Sequence, residues 1–285
     1  MRLANVNGRA VLLTADDQGV DVALASAGKF GPDLSQVYDD WAGFCSWAAS
    51  VPSDAPDVSF ERRELGSPSP APRQIIAVGL NYRAHAAESG YEAPDQLPPT
   101  FTKFVSSLAG PDVEVALPPG GHTDWEVELV AVIGQTVKDV AEDRAWDCVA
   151  GLTVGQDLSE RISQHSGPAA QFSLGKSFPN FAPVGPWLVT PDAVPDKDDL
   201  GLSAAIDGEI VQDGRTRDLI FSVPSLIAKL SATVTLFPGD LIFTGTPAGV
   251  GFGRNPQRFL QPGEELRSAI EGIGEMRQVF VGEQD

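Results

Sequence analysis

The sequence predicts an α+β fold rich in β-strands, with a small N-terminal α+β domain over residues 1–70 and a larger domain over residues 71–285. Short apolar and β-branched runs recur between glycine and proline residues, which is the pattern of strands. A stripe of aromatic residues at helical spacing stands near the N-terminus. Between the two parts, residues 65–72 have the proline and glycine density of a linker, and we place the domain boundary there.

The N-terminal domain is expected to contain two short strands and one helix. The strands are predicted over residues 9–14 and 20–24, and Asp33 is a candidate N-cap for the helix that follows. The apolar face of this helix would carry Leu34, Val37, Tyr38, Trp41, Phe44, Cys45 and Ala48. Aromatic residues at this period are typical of core packing, so we assign them no function.

The larger domain is expected to consist mainly of strands. Asp207 and Gly208 form the two-residue turn of a predicted hairpin. One helix is predicted over residues 219–230, because Pro224 suits a first turn. The remaining apolar runs predict strands at residues 75–79, 124–134, 149–155, 241–244, 265–270 and 277–281.

Composition excludes several classes of partner and compartment. Thirty-nine acidic residues against twenty basic ones give a net charge of -19, which disfavours nucleic acid and anionic membrane surfaces. Cys45 and Cys148 stand far apart without a Cys-x-x-Cys motif, which suits a reducing cytoplasm. The first residues lack an apolar signal core, and no run approaches the roughly 18 apolar residues of a membrane span. We expect a cytoplasmic protein.

Three carboxylates are the candidate metal ligands. Glu126 and Glu128 alternate with apolar residues along a predicted strand, so they project to one side with their Cα atoms about 7 Å apart. Asp157 follows the next strand-like run and supplies a third carboxylate. All-oxygen ligation suits Mg²⁺, Mn²⁺ or Ca²⁺ rather than zinc. The alternative is a strand whose Glu-x-Glu pair lies on an ordinary solvated face.

A histidine and a glutamate form a candidate general base. If residues 81–88 make one or two helical turns, His85 and Glu88 lie three apart on one face, where the carboxylate can orient the imidazole. The alternative is an exposed ion pair on a surface helix. The proline-rich residues 94–100 follow and are a candidate for a mobile lid.

Further polar residues are expected near the third carboxylate. A predicted helical turn after Asp157 would hold Arg161 and Gln164 close to it. Lys176 could bring a positive charge to the same cavity, although a surface lysine is the simpler interpretation.

Other chemistries lack their motifs. The glycine cluster of residues 245–253 has neither a Gly-Lys-Ser/Thr ending nor Gly-x-Gly-x-x-Gly spacing, so it predicts a tight strand-to-loop turn rather than a nucleotide site. No Gly-x-Ser-x-Gly elbow of a serine hydrolase occurs. Three histidines make a histidine-rich metal site a poor alternative.

Five ordered motifs resemble the signature of the fumarylacetoacetate hydrolase family, over roughly residues 73 to 282. They are Asn81-Tyr82-x-x-His85-x-x-Glu88, Asp124-Trp125-Glu126-Val127-Glu128-Leu129, Asp157-Leu158-Ser159-x-Arg161, Lys176-Ser177-Phe178 with Pro183-Val184-Gly185-Pro186, and Pro238-Gly239-Asp240-x-Ile242-x-Thr244-Gly245-Thr246-Pro247. One departure is that Pro179-Asn180 stands where many members have aspartate.

The resemblance implies a mixed β-sandwich roll, usually a homodimer, with residues 1–70 as the variable N-terminal domain. It implies that Glu126, Glu128 and Asp157 are divalent-metal ligands. It further assigns catalysis to His85, Glu88 and Lys176, with the lysine stabilising an oxyanion. Substrate binding falls to Tyr82, Arg161, Gln164 and Thr246.

The implied activity is metal-dependent hydrolysis of a carbon–carbon bond in a 1,3-diketo acid, of acylpyruvate or fumarylacetoacetate type, in the catabolism of aromatic or related compounds. Within the family, the chain resembles an acylpyruvate hydrolase-like member. The same site would serve a β-keto acid decarboxylase or a 2-hydroxydienoate isomerase, and these stay open as alternatives. A non-catalytic binding module is a further alternative, which would fit better if His85, Glu88 or a metal ligand were replaced.

Overall fold

The polypeptide builds a strand-rich α+β fold around one large twisted sheet. The computed structural model describes residues 1–52, 57–90 and 92–282. Its strands are β1 (Arg2–Val6), β2 (Arg9–Leu13), β3 (Gln18–Asp21), β4 (Asp57–Ser59), β5 (Leu65–Gly66), β6 (Ile75–Val78), β7 (Thr100–Thr102), β8 (Leu108–Ala109), β9 (Asp112–Ala116), β10 (Thr123–Asp124), β11 (Val127–Ile133), β12 (Val149–Gln156), β13 (Ser159–Glu160), β14 (Ala182–Val189), β15 (Gly201–Ile206), β16 (Glu209–Arg215), β17 (Leu241–Phe243), β18 (Glu265–Ile270) and β19 (Gly274–Val281).

The helices are short and lie between the strands. They are α1 (Val22–Ala25), α2 (Leu34–Val37), α3 (Trp41–Ala48), α4 (Arg83–Glu88), α5 (Arg161–Gln164), α6 (Phe172–Gly175) and α7 (Val223–Ser231). In the described part of the chain, no helix has the length and apolar character needed to cross a bilayer.

Two main sheets organise the described residues. The larger has twelve strands in the order β4-β3-β2-β1-β14-β12-β11-β17-β6-β7, with β5 beside β1 and β8 beside β14. The smaller has five strands in the order β16-β15-β18-β19-β9, and β10 pairs with β13 in a separate two-stranded ladder. The predicted β-rich α+β class is confirmed.

The central strand β11 is buried on both of its faces. One set of alternating side chains joins the core formed with the five-stranded sheet, and this core includes Val127, Leu129, Ala131, Ile133, Leu202, Leu266 and Phe280. The opposite set, Val130 and Val132, packs in a second core with the N-terminal helices, through Leu34, Val37 and Phe44. Because full burial of such a side chain contributes about 1.5–3 kcal/mol, both contacts hold β11 firmly.

The N-terminal part is continuous with the large sheet. Strand β1 pairs with β14 in the register Arg2↔Val189, and β5 continues along the same edge of β1, because β2 occupies the opposite edge. Asp33 caps α2 as predicted, but Asp40 caps a second helix, α3, so the expected single helix is broken by a 3₁₀ turn between the two. The domain boundary near residue 70 stays a prediction.

Residues 65–72 do not form the linker that their composition predicted. The Asn5 amide and the Tyr38 hydroxyl donate hydrogen bonds to the carbonyls of Ser67 and Pro68. The Ser69 hydroxyl donates to the carbonyl of Gly239, 170 residues away. The linker prediction was wrong because polar groups distant in sequence satisfy the backbone of this segment and hold it against the rest of the fold.

Elements of the second half agree with the sequence. Asp207 and Gly208 both have positive φ, of 49° and 86°, and join β15 to β16 as the predicted two-residue turn. The helix predicted over residues 219–230 is α7, with Pro224 in its first turn, but Ser222 caps it and it begins at Val223 rather than at residue 219. Strands β17, β18 and β19 occupy the three predicted terminal segments.

Candidate metal centre and catalytic site

Three buried carboxylates meet at the end of β11 and β12. Antiparallel pairing places Glu128 opposite Gly155, and the backbone N–H of Asp157 donates to the carbonyl of Glu126 at 2.9 Å. One oxygen from each of Glu126, Glu128 and Asp157 lies within 4.8 Å of the others. The predicted convergence is therefore present. The alternative of an ordinary solvated strand face is wrong, since the three residues are only 5%, 1% and 1% exposed.

Cations and one backbone amide hold the three carboxylates. The Lys176 ammonium bridges Glu126 and Asp157, at 2.7 and 2.6 Å. Arg161 donates to the other oxygen of Glu126 at 2.8 Å. Glu128 accepts only from the backbone N–H of Gly245, at 2.7 Å, among the hydrogen bonds of the described residues.

That approach of Gly245 to Glu128 requires glycine. Its φ is +99°, in the region that favours glycine, and a Cβ atom there would lie 2.8 Å from the Cβ atom of Asn81. The predicted tight turn at this glycine cluster thus supplies a donor to the carboxylate group.

The three carboxylates differ in their electrostatic balance. Burial opposes ionisation of Glu126, but Lys176 and Arg161 outweigh it and hold its pKa below the usual range. Burial raises the pKa of Glu128, and the charges of Asp157 and Glu126 raise it further. Glu128 thus lacks the cation that its neighbours have.

This donor set fits a divalent hard cation. Glu126, Glu128 and Asp157 offer only oxygen, which suits Mg²⁺, Mn²⁺ or Ca²⁺. A positive ion among them would also offset the repulsion that disfavours the charged form of Glu128.

The predicted histidine–glutamate pair is formed on α4. His85 Nδ1 lies 2.8 Å from Glu88 Oε1, and the imidazole is 7% exposed, so the alternative of an exposed surface pair is wrong. The Glu88 carboxylate also accepts from the backbone N–H of Gly249, at 2.9 Å and 3.1 Å to its two oxygens. Both the imidazole and its carboxylate partner are therefore held in place.

A carboxylate that the sequence analysis did not single out anchors Arg161. Asp124 accepts from two nitrogens of the Arg161 guanidinium, at 2.9 and 2.7 Å, and from the backbone N–H groups of Gly251 and Phe252. Arg161 also donates to the side-chain oxygen of Gln164 at 2.9 Å. Asp124 thereby links the glycine-rich loop to α5, the helical turn that carries Arg161 and Gln164.

The cavity at the mouth of the carboxylate group is small and partly open to solvent. It has a free volume of about 50 Å³, and its lining includes His85, Glu126, Arg161, Gln164 and Lys176. The space is close to that of one or two waters. A diketo acid is larger than this space, and the lid over residues 94–100 stays a prediction.

The other two predicted binding residues, Thr246 and Tyr82, are not among the residues that line this cavity. The Thr246 hydroxyl is engaged by protein groups, since it donates to the carbonyl of Val127 and accepts from the Gln212 amide. The buried Tyr82 hydroxyl has no hydrogen-bond partner among the residues that the structure describes, and burial, aided by Glu128, raises the pKa of this phenol. Substrate binding by either residue stays a prediction.

Lys103 is a buried cation that sequence reasoning missed. It is 1% exposed, and its ammonium donates to Asp157 Oδ1 at 2.5 Å and to the carbonyls of Leu158 and Lys176. Burial lowers the pKa of Lys103, and Asp157 opposes that shift. No local signal marks it, because all three acceptors lie more than 50 residues away.

Lys103→Met is expected to lower the free energy of unfolding by about 3 kcal/mol, because it leaves one buried oxygen of Asp157 and two buried carbonyls without their donor. Urea denaturation would measure the loss. The control Lys138→Met removes an exposed lysine that donates to a single carbonyl, and it should change stability by less than about 0.5 kcal/mol. Equal effects of the two substitutions would contradict the role given to Lys103.

Comparisons with known proteins agree on one family. The family model described as fumarylacetoacetate (FAA) hydrolase C-terminal matches residues 74–281, a range that contains every candidate site residue. A protein of Burkholderia lata, provisionally named a hydrolase, is 47% identical over 249 residues, or 87% of either chain. The crystal structure of a protein provisionally named HpcE, from Mycobacterium smegmatis, has a TM-score of 0.94 at 56% identity and covers 100% of both chains.

Two further solved structures have different named activities. Maleylpyruvate hydrolase from Sphingobium sp. SYK-6, in complex with manganese(II) ion and pyruvate, has a TM-score of 0.81 at 31% identity over 100% of both chains. A protein of Mycobacterium abscessus, provisionally named a 2-hydroxyhepta-2,4-diene-1,7-dioate isomerase, has a TM-score of 0.79 at 29% identity, with coverage of 100% and 99%. The same fold is thus similar to proteins of more than one reaction class.

Proposed function

This chain belongs to the fumarylacetoacetate hydrolase family, and we propose that it is a divalent-metal-dependent hydrolase that cleaves the carbon–carbon bond of a 1,3-diketo acid of acylpyruvate or fumarylacetoacetate type. The observation that carries the proposal is that the histidine–glutamate pair and the carboxylate group lie at one cavity. His85, oriented by Glu88, lines the same cavity as Glu126 and Lys176. A proton acceptor therefore faces the carboxylates that can hold the metal.

His85 is the proposed general base. When its Nδ1–H donates to Glu88, the lone pair of Nε2 is left to accept a proton. It removes that proton from a water molecule, whose oxygen forms a bond to the acyl carbonyl carbon of the substrate. The imidazolium that forms is stabilised by the Glu88 carboxylate at 2.8 Å.

Lys176 is the proposed donor to the oxyanion. Its ammonium is buried between Glu126 and Asp157, whose charges outweigh the effect of burial and keep the pKa of Lys176 above its usual value. The lysine therefore stays charged and can stabilise the negative oxygen of the tetrahedral adduct.

Collapse of the adduct breaks the carbon–carbon bond. The electron pair of that bond passes to the departing carbon, which leaves as the enolate of pyruvate, takes a proton and becomes a keto acid. The other product is a carboxylic acid that carries the oxygen from water. A divalent ion held by Glu126, Glu128 and Asp157 would supply positive charge where the enolate develops.

Metal removal tests this proposal. Dialysis against a chelator is expected to abolish the release of pyruvate from acylpyruvates, and Mg²⁺ or Mn²⁺ should restore it. The manganese in the maleylpyruvate hydrolase structure supports including that ion in the assay. Full turnover by metal-stripped protein would contradict metal dependence.

A second candidate reaction comes from the isomerase-like relative. An enolate-stabilising site also serves decarboxylation of a β-keto acid, such as oxaloacetate, or a double-bond shift in a 2-hydroxydienoate, when no water attacks. Mass spectrometry of the products separates the three. Hydrolysis gives two carboxylic acids, decarboxylation gives carbon dioxide, and isomerisation gives a product of unchanged mass.

The setting of the enzyme is also proposed. Cys45 and Cys148 are both free thiols, which supports action in a reducing cytoplasm. We expect a homodimer, with a role in the catabolism of aromatic or related compounds. Light scattering of the purified protein would determine its mass in solution.

A further inference from the structure

We infer that the substrate is a monoanion, an acylpyruvate whose acyl arm is uncharged and apolar or aromatic, rather than a dicarboxylate. This inference rests on the proposed function, because it concerns the same cavity. It differs from what the name of the maleylpyruvate hydrolase relative would suggest, since maleylpyruvate carries a carboxylate at each end.

Aromatic rings form much of the cavity wall. Phe101 and Phe172 meet edge to face with their centroids 5.4 Å apart, and both line the cavity. Phe252 and His165 stack in parallel planes at 5.2 Å, and both line it as well. Such rings favour a flat or apolar group and offer little to a carboxylate.

Both long-chain cations of the wall are already paired with acidic groups. Lys176 lies between Glu126 and Asp157, at 2.7 and 2.6 Å. Arg161 donates to Asp124 and Glu126 at 2.7 and 2.8 Å, and also to Gln164. Among the described residues that line the cavity, no lysine or arginine is unpaired.

The remaining histidine of the wall also offers little to a second carboxylate. His165 Nδ1 lies 2.8 Å from the carbonyl of Arg161 and donates to it. In the neutral imidazole, Nε2 is then an acceptor, as a carboxylate oxygen is. A distal carboxylate in this cavity would lose its water without gaining a cationic partner, which is costly.

The charges around the site disfavour a second negative charge on the substrate. The carboxylates number five, Glu88, Asp124, Glu126, Glu128 and Asp157, and the cations number three, Lys103, Arg161 and Lys176. These groups leave two negative charges, which a divalent ion offsets. A monoanion then leaves the site with one negative charge, whereas a dianion leaves it with two, in a chain of net charge -19.

A matched pair of substrates tests the inference. Crotonoylpyruvate and fumarylpyruvate share a trans double bond and differ at its end, where one has a methyl group and the other a carboxylate. With Mn²⁺-loaded enzyme, kcat/KM should be at least about tenfold higher for crotonoylpyruvate, a difference of about 1.4 kcal/mol. An equal or higher value for fumarylpyruvate would overturn the inference.

Binding separates this inference from the proposed reaction. Calorimetry with Mn²⁺-loaded His85→Ala protein measures affinity without turnover, and crotonoylpyruvate should bind more tightly. If His85→Ala protein binds crotonoylpyruvate more tightly but the unmodified enzyme hydrolyses neither compound, the proposed reaction is refuted and the charge selectivity is supported. Equal or tighter binding of fumarylpyruvate, or binding of neither compound, would overturn the selectivity.

A cation added to the wall should shift the preference. Phe172 is only partly buried, so Phe172→Lys places an ammonium at the cavity with little disturbance of the core. We expect it to reduce the crotonoylpyruvate-to-fumarylpyruvate ratio about tenfold, whereas the uncharged control Phe172→Gln should not. If the lysine variant fails to fold, Ser89→Lys and Ser89→Gln at the same cavity provide the same comparison. Equal ratios in the lysine and glutamine variants would contradict the charge argument.

Discussion

Glu128→Gln is expected to abolish divalent-metal binding and acylpyruvate hydrolysis together, while the metal-free protein stays folded. The substitution removes one of three carboxylates whose oxygens lie within 4.8 Å of one another, and two charged ligands hold a hard cation poorly. Glutamine keeps the volume of the side chain and can still accept the hydrogen bond from Gly245. Glu128→Ala should lose the same two properties.

The pH dependence of stability provides a second readout for Glu128. Its pKa is raised by burial and by Asp157 and Glu126 in the folded, metal-free protein. The contribution of Glu128 to stability is therefore fully present below the pKa that it has in the unfolded chain, about 4.3. This contribution is lost as the pH rises through its raised pKa in the folded protein. Glu128→Gln should remove this decline, so the metal-free variant should exceed the unmodified metal-free protein in stability at neutral pH.

Calorimetric titration with Mn²⁺, an assay of pyruvate release and urea denaturation at several pH values would measure these effects. Glu114→Gln is the control, because Glu114 is exposed on β9 and lies outside the carboxylate group. Unchanged metal affinity in Glu128→Gln would overturn the ligand assignment. A large loss of stability at neutral pH would instead indicate a structural role for this glutamate.

The position of the three carboxylates could be predicted because it depends on local geometry. Side chains alternate along a strand, so Glu126 and Glu128 had to share a side, and the next apolar run had to return beside the first. The burial of that side could not be predicted. The helices α2 and α3, roughly 90 residues away in sequence, cover Val130 and Val132 on that side. The two glutamates are instead covered by Arg161, Lys176 and Gly245. A strand pattern does not show which distant segment covers that side.

Pairings between distant residues set the rest of the site. Lys103 reaches Asp157, and Asp124 reaches Arg161 and the N–H of Gly251, 127 residues away. Each of these residues looks like an ordinary surface charge in its local sequence. Burial supplies the reason for each pairing, because an unpaired charge inside the fold would be too costly. Residues 65–72 are a similar case, because their prolines resemble a linker until the distant side chains of Asn5 and Tyr38 donate to carbonyls of this segment.

His85→Ala is expected to keep the metal affinity of the unmodified protein and to lose hydrolysis by about 10² to 10⁴-fold, the usual effect of removing a general base. The imidazole hydrogen-bonds to Glu88 and is not among the three clustered carboxylates, so its loss leaves the metal ligands intact. His122→Ala is the matched control. The exposed ring of His122 stacks on Phe259, and we expect normal activity from this variant.

The same variant distinguishes the reactions open to this site. Decarboxylation of oxaloacetate needs stabilisation of an enolate but no attacking water, so His85→Ala should spare any decarboxylase activity while it destroys carbon–carbon hydrolysis. The metal-loaded variant would be assayed with an acylpyruvate and with oxaloacetate side by side, after titration with Mn²⁺ by calorimetry. Hydrolysis at the rate of the unmodified enzyme would remove His85 from the mechanism. If His85→Ala loses metal affinity together with hydrolysis, the imidazole supports the metal centre. The assignment of separate roles to His85 and to the metal ligands would then be wrong.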